Sequence, residues 1–96
     1  MKEDPIKSFR SAFNQFLKEE NLEHTFKQKR LIANWEQVMG KTIASRTTKI
    51  FFKDKTLFIK LSSAPLKNEM QNAKTQILEL VEKEIGQGEV DEVIFL

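Results

Sequence analysis

The sequence predicts an α+β domain in which a three-stranded sheet packs against helices, in the order helix-helix-strand-strand-helix-strand. Three observations predict it. Apolar residues recur at helical spacing through residues 5–20, 25–39 and 64–85. Two runs, 48–53 and 56–62, carry strand-like residues and flank the two-residue connection Asp54-Lys55. A last apolar run, 90–96, follows Gly86 and Gly88. A sheet with its apolar face covered by helices is the simplest way to bury these stripes.

Each element has a local cause. Asp4-Pro5 reads as an N-cap followed by proline at the first helical position. Ile6, Phe9, Phe13, Phe16 and Leu17 form one stripe on the first helix, which fades near Glu20-Asn21. Leu22 reads as a hydrophobic plug in the connection. The second helix spans Thr25 to about Met39, with Leu31, Trp35, Val38 and Met39 on its apolar side and Lys27, Lys29, Arg30 and Glu36 toward solvent. Gly40 supplies a left-handed terminator, and Thr42-Ile43-Ala44 forms one further turn. In the second strand Leu57, Ile59 and Leu61 face the core. In the first, Ile50 and Phe52 face the same way, although Phe51 between them is also large. Phe51 and Phe58 then share the opposite face with Lys49, Lys53 and Lys60. A serine of Ser62-Ser63 caps the long last helix, with Pro65 in its first turn. Its stripe is Leu66, Met70, Ala73, Ile77, Leu80, Val81 and Ile85. Most of the eight phenylalanines are expected in the core.

Composition narrows the function classes. The chain has 96 residues, 40% apolar and 31% charged, which suits a single domain over 1–96. Without cysteine there are no disulfides and no thiolate metal sites. No apolar stretch approaches the roughly 18 residues of a membrane span, and Met1–Pro5 lacks the apolar run of a signal peptide. A cytoplasmic protein without membrane contact is the expectation. The net charge of +2 is unevenly spread: residues 24–67 carry +8, residues 1–23 carry −1 and residues 68–96 carry −5. The basic middle points to an anionic partner or to a solvated face. The acidic final third, with Glu79, Glu82, Glu84, Glu89, Asp91 and Glu92, is expected to repel phosphates.

No catalytic constellation is recognisable. Gly40-Lys41-Thr42 suggests a phosphate loop, but Trp35 stands where that motif needs its first glycine, and a helix precedes it. His24 is the single histidine, set in a polar turn with no nucleophile beside it, so a solvated side chain is expected. Ser62 and Ser63 lack a nucleophile elbow. The domain therefore reads as non-catalytic, with no cofactor and no metal. Trp35 reads as a structural anchor, with a partner-binding role as the rival. Phe51 and Phe58 are a base-stacking platform if the outer sheet face is open, and core if the first helix covers it.

Trp35-Glu36-Gln37-Val38-Met39-Gly40-Lys41-Thr42-Ile43-Ala44-Ser45-Arg46-Thr47 resembles the pattern W-x-x-V-[VM]-G-x-x-I-A-x-x-T of the DciA-like family. The segment from Asp54 to Met70 resembles that family's L-x-[VI]-x-[VL]-x-S turn into a long helix, and Gly86 with the run Val90 to Phe95 resembles its end. Together these cover the chain from about Pro5 to Leu96. The resemblance implies a K-homology-like fold, a part in loading the bacterial replicative helicase DnaB, and DNA binding. Two departures are visible. The chain stops at the last strand, without the disordered basic tail of many relatives, and Gly86-Gln87-Gly88 does not have the spacing of the K-homology Gly-x-x-Gly clamp.

The expected function is a replication accessory domain that binds the replicative helicase and nucleic acid. The rivals are a general RNA- or DNA-binding domain and a small protein-interaction adaptor that meets an acidic partner. The expected nucleic-acid-binding residues are Lys27, Lys29, Arg30, Lys41, Arg46, Lys49, Lys53, Lys55 and Lys60, drawn from consecutive segments that can share one rim. Contact with single-stranded or duplex nucleic acid is expected to be weak and salt-dependent, because lysine–phosphate contacts position a protein without reading bases.

Overall fold

A computed structural model of the protein describes residues 5–20 and 22–96. The expected cap at Asp4 lies outside the described residues, whereas the first helix ends at Glu19 with Glu20 in a turn, in line with its expected fading near Glu20-Asn21. The elements are α1 (Pro5–Glu19), α2 (Glu23–Ala33), α3 (Trp35–Met39), α4 (Lys41–Arg46), β1 (Thr47–Lys53), β2 (Thr56–Leu61), α5 (Ala64–Asn72), α6 (Lys74–Ile85) and β3 (Glu92–Phe95). The architecture is α+β, with a three-stranded mixed sheet ordered β1-β2-β3. β1 pairs with β2 antiparallel through the Asp54-Lys55 turn, and β3 pairs with β2 parallel. No described helix is long and apolar enough to cross a membrane.

The two expected long helices are each broken at one residue. The Asn34 N–H is shared between the carbonyls of Arg30 (3.0 Å) and Leu31 (3.2 Å), while its own carbonyl accepts from Val38 (3.0 Å). Ala73 repeats the arrangement: its N–H is shared between Glu69 and Met70, both at 3.1 Å, and its carbonyl accepts from Ile77 at 3.0 Å. Tightening one turn to three-residue bonds re-aims the helix with little loss of hydrogen bonding. Both halves can then follow the twisted sheet. Ser63 caps α5 by accepting the Leu66 N–H at 3.3 Å. Gly40 ends α3 at φ 90° and ψ 162°. That is extended backbone of reversed sign, open to glycine alone, and not the left-handed helical turn that the sequence suggested.

The core lies on one face of the sheet. Leu57, Ile59 and Leu61 of β2 and Val93 and Phe95 of β3 are buried beneath Leu31, Trp35, Met70, Ile77, Val81 and Ile85 of the helices. Ile50 and Phe52 of β1 pack at its margin. A β-bulge interrupts β1 between Thr47 and Lys49. Because of it, Thr47 lies opposite Leu61 on the core face while Lys49 lies opposite Lys60 on the other. The bulge puts the Thr47 hydroxyl where it accepts the Trp35 indole N–H at 3.0 Å and donates to the Ile43 carbonyl at 2.7 Å. Trp35 is only 5% exposed and its one polar atom is satisfied.

Three expectations about packing fail. Leu80 is exposed, and Leu78 packs on the core instead. Ile77, Val81 and Ile85 advance four residues at a time, so the buried face drifts by about 40° per step, toward Leu78 and away from Leu80. Leu22 is no plug but an exposed side chain. Phenylalanine is mostly outside the core: Phe95 is buried, Phe13, Phe51, Phe52 and Phe58 are half-buried, and Phe9, Phe16 and Phe26 are exposed. In α1 Leu17 alone is buried, and the molecule, 58 × 25 × 20 Å along its principal axes, is elongated.

Trp35→Ala should lower stability by about 3–5 kcal/mol, the range for large aromatic truncations in a core. Urea denaturation checks this, and a midpoint near that of the wild type would place Trp35 outside the supporting core.

Candidate nucleic-acid interface

The face of the sheet opposite the core is built by cross-strand pairing. Lys49 lies opposite Lys60, Phe51 opposite Phe58, and Lys53 opposite Thr56. The parallel strand adds Ile94 beside Phe58 and Glu92 beside Thr56. The helices whose residues enter the core do so from the other side, and α1, which adds no residue to that core, packs on α2. Phe51 and Phe58 stack with centroids 5.0 Å apart and an interplanar angle of 7°. The Lys49 ammonium lies 5.2 Å from the Phe51 centroid, within cation–π range. Lys49, Lys53 and Lys60 are exposed and none forms an ion pair with a described carboxylate. Like charges directly opposite on a sheet are unfavourable, so Lys49 and Lys60 present an uncompensated positive field above an aromatic pair. Arranged this way, the face can take an anionic backbone on its lysines and a planar group on its rings.

The other expected binding residues fall elsewhere. Lys41 and Arg46 are exposed on α4, and Lys55 is exposed in the hairpin turn. Lys29 is exposed on α2, but its neighbours there, expected to be left to solvent, are engaged: Lys27 with Glu89 at 3.4 Å and Arg30 with the Glu84 carbonyl at 3.4 Å. The structure therefore distributes the nine cations over several surfaces. Lys49, Lys53 and Lys60 share the outer face, whereas Lys27 and Arg30 help to hold α2 against the acidic C-terminal third.

That second arrangement was not visible in the sequence, because its members lie far apart along the chain. His24 Nδ1 is 2.5 Å from Glu89 Oε2. Gln28 Nε2 reaches both His24 Nε2 and the Asp54 carbonyl at 2.7 Å. One Gln28 amide hydrogen goes to each acceptor, which leaves the His24 proton on Nδ1, pointing at Glu89. His24 is thus not the simply solvated side chain of the expectation but ties α2 to the segment before β3, while Gln28 ties it to the hairpin. The His24 hydrogen bond, supported by Lys27, holds the Glu89 carboxyl below its ordinary value against a smaller opposing effect of burial. Glu92 likewise pairs with Lys74 at 3.8 Å. Glu89 and Glu92 thus each have a partner within the protein, the Lys74–Glu92 pair at the exposed surface.

A family model described as "Dna[CI] antecedent, DciA" matches residues 8–95. The chain belongs to the DciA family. The match covers nearly the whole chain, and the family is associated with loading the replicative helicase. No curated protein and no solved structure matches the chain. The DciA segment from Trp35 to Thr47 has a structural reading here: Trp35 and Thr47 are joined by a hydrogen bond, and Gly40 makes the reversal that lets them meet.

The lowered Glu89 value sets a sign. Its contribution to stability is complete above the ordinary glutamate range, about pH 4.3, and is lost as pH falls through the lower value of the folded state. Glu89→Gln should therefore lower stability at neutral pH and flatten the acid limb of the stability–pH curve. Denaturation midpoints between pH 7 and pH 3 check it; parallel acid limbs for variant and wild type would contradict it.

Proposed function

We propose that this DciA-family domain is a non-catalytic replication accessory protein that binds nucleic acid through the outer face of its sheet and the replicative helicase through another surface. The observation that carries the nucleic-acid half is the Phe51–Phe58 stack with Lys49, Lys53 and Lys60 around it and no acid among the described residues pairing them. Stacking accepts every base, and lysine contacts do not read sequence, so the domain binds with little sequence preference. Single strands are favoured over duplex, because only unpaired bases can reach the rings. Lys41, Arg46, Lys55 and Lys29 extend the positive field, and Lys27 and Arg30 contribute less because they are already engaged. The helicase half rests on family membership. The mixed sheet, with β3 parallel to the central β2, supports a K-homology-like reading; with no Gly-x-x-Gly clamp in the sequence, the sheet face and not a backbone loop holds the strand. Such a protein acts in the cytoplasm, where helicase and DNA meet.

Fluorescence anisotropy with labelled oligonucleotides tests the reading. The wild type should bind weakly, with log affinity falling against log salt at a slope of about −2 to −5, for roughly three to five phosphate contacts. Reversing Lys49, Lys53 and Lys60 to glutamate should abolish binding while circular dichroism stays unchanged. Equal binding by the folded variant would place the nucleic-acid surface elsewhere. Capture of the helicase from native lysate, persisting after nuclease treatment, tests the second half. Loss of all partners after nuclease would favour a general nucleic-acid-binding domain, and a different acidic partner would favour an adaptor.

A further inference from the structure

Helix α1 carries a surface that the outer sheet face does not explain. Phe9 is 67% exposed and Phe16 49% exposed, and Phe9 stacks on Phe13 at 6.0 Å. Phe13 meets Phe26 of α2 edge-on at 5.5 Å, so the patch runs on to exposed Phe26 and Leu22. Ile6, Phe9, Phe13 and Phe16 are spaced three, four and three apart, the a/d seam of a two-stranded coiled coil. Leu17, one position off that seam, is what anchors α1 to its own domain. A patch of this size on a small protein marks an interaction site. It is apolar and is not a nucleic-acid surface.

We infer that this face binds a second copy of the chain, with the two α1 helices antiparallel. Charge selects both partner and direction. Residues 1–10 carry a net +1 and residues 18–23 a net −2. An antiparallel pair of identical helices sets each positive end against a negative end, whereas a parallel pair sets like against like. The exposed parts of Ile6, Phe9, Phe16, Leu22 and Phe26 amount to roughly 500 Å² per protomer, taking about 200 Å² for a whole large side chain. Two protomers then bury about 1,000 Å², the lower bound for a specific interface. The seam is a rod about 15 Å long on the arm of an elongated molecule, so two domains meet along it without collision, and a twofold axis crosses it near Ala12. The symmetric contact leaves both outer sheet faces free.

Analytical ultracentrifugation of the full chain at low salt, over a concentration series into the hundreds of micromolar, tests this. The wild type should show a monomer–dimer equilibrium. Phe9→Ser with Phe16→Ser should be monomeric, with unchanged circular dichroism because both side chains are exposed. Arg10→Glu turns the net charge of residues 1–10 from +1 to −1, which leaves the repulsion in a parallel pair unchanged and turns attraction into repulsion in an antiparallel one. It should weaken the dimer by about three- to tenfold, and mixing it with a Glu19→Lys, Glu20→Lys variant should restore association. A wild type that stays monomeric throughout, even if the same face captures a different protein, overturns the inference. So does a dimer indifferent to the two serines, or one indifferent to Arg10→Glu.

Discussion

The structure depends on one buried layer: helices pack on only one face of the sheet. β2 is the central strand, and its Leu57 and Ile59 are fully buried between β1, β3 and the helices above them. Leu31 and Val81 meet them from α2 and α6 with no exposed surface of their own. Each such side chain contributes about 1.5–3 kcal/mol by burial, comparable to a sizeable part of a small domain's net stability. α2 to α6 supply this layer, and α1, which packs on α2, adds no residue to it. The exposed lysines and half-buried phenylalanines of the other face follow from that one-sided cover.

What the sequence could and could not reveal has the same physical root. Period-two alternation in β2 is uninterrupted, so Leu57, Ile59 and Leu61 were legible as core, and with them Lys60 and Phe58 as outward. β1 was harder because of the bulge at Thr48: plain alternation puts Thr47 and Lys49 on one face, and the extra residue separates them. The breaks at Asn34 and Ala73 left no mark, since neither residue forbids a helix and the sheet's twist is a tertiary demand. Leu80 and the α1 phenylalanines show the other limit. Their spacing revealed stripes, but a stripe does not say what covers it. The His24–Glu89 pair spans 65 residues and leaves no local signal.

Charge is sorted by place. Glu89 and Glu92 are drawn into pairs with His24, Lys27 and Lys74, at the seam where β3 joins the domain. The lysines of the outer face have no such partners among the described residues. The chain's small net charge therefore conceals a field that is positive on the β1–β2 face. For a DciA-family protein this suits a division of labour, in which one face follows a nucleic-acid strand while protein contacts use other surfaces. The indole of Trp35 donates to Thr47 on the core side of the bulge, beyond which Lys49 and Phe51 pair with Lys60 and Phe58 on the outer face.

The central claim is that the outer sheet face is a stacking surface and not a poorly covered core. Phe58→Ala separates the two most directly, because Phe58 sits on the central strand, beside Phe51 and Ile94 and away from the buried layer. Single-strand affinity and urea stability would be measured on the same preparation. The account predicts a loss of affinity of roughly 5- to 100-fold, as for removal of one base-stacking aromatic, with destabilisation well below the 3–5 kcal/mol of a core phenylalanine. Unchanged affinity in a folded variant, together with a core-sized loss of stability, would contradict it.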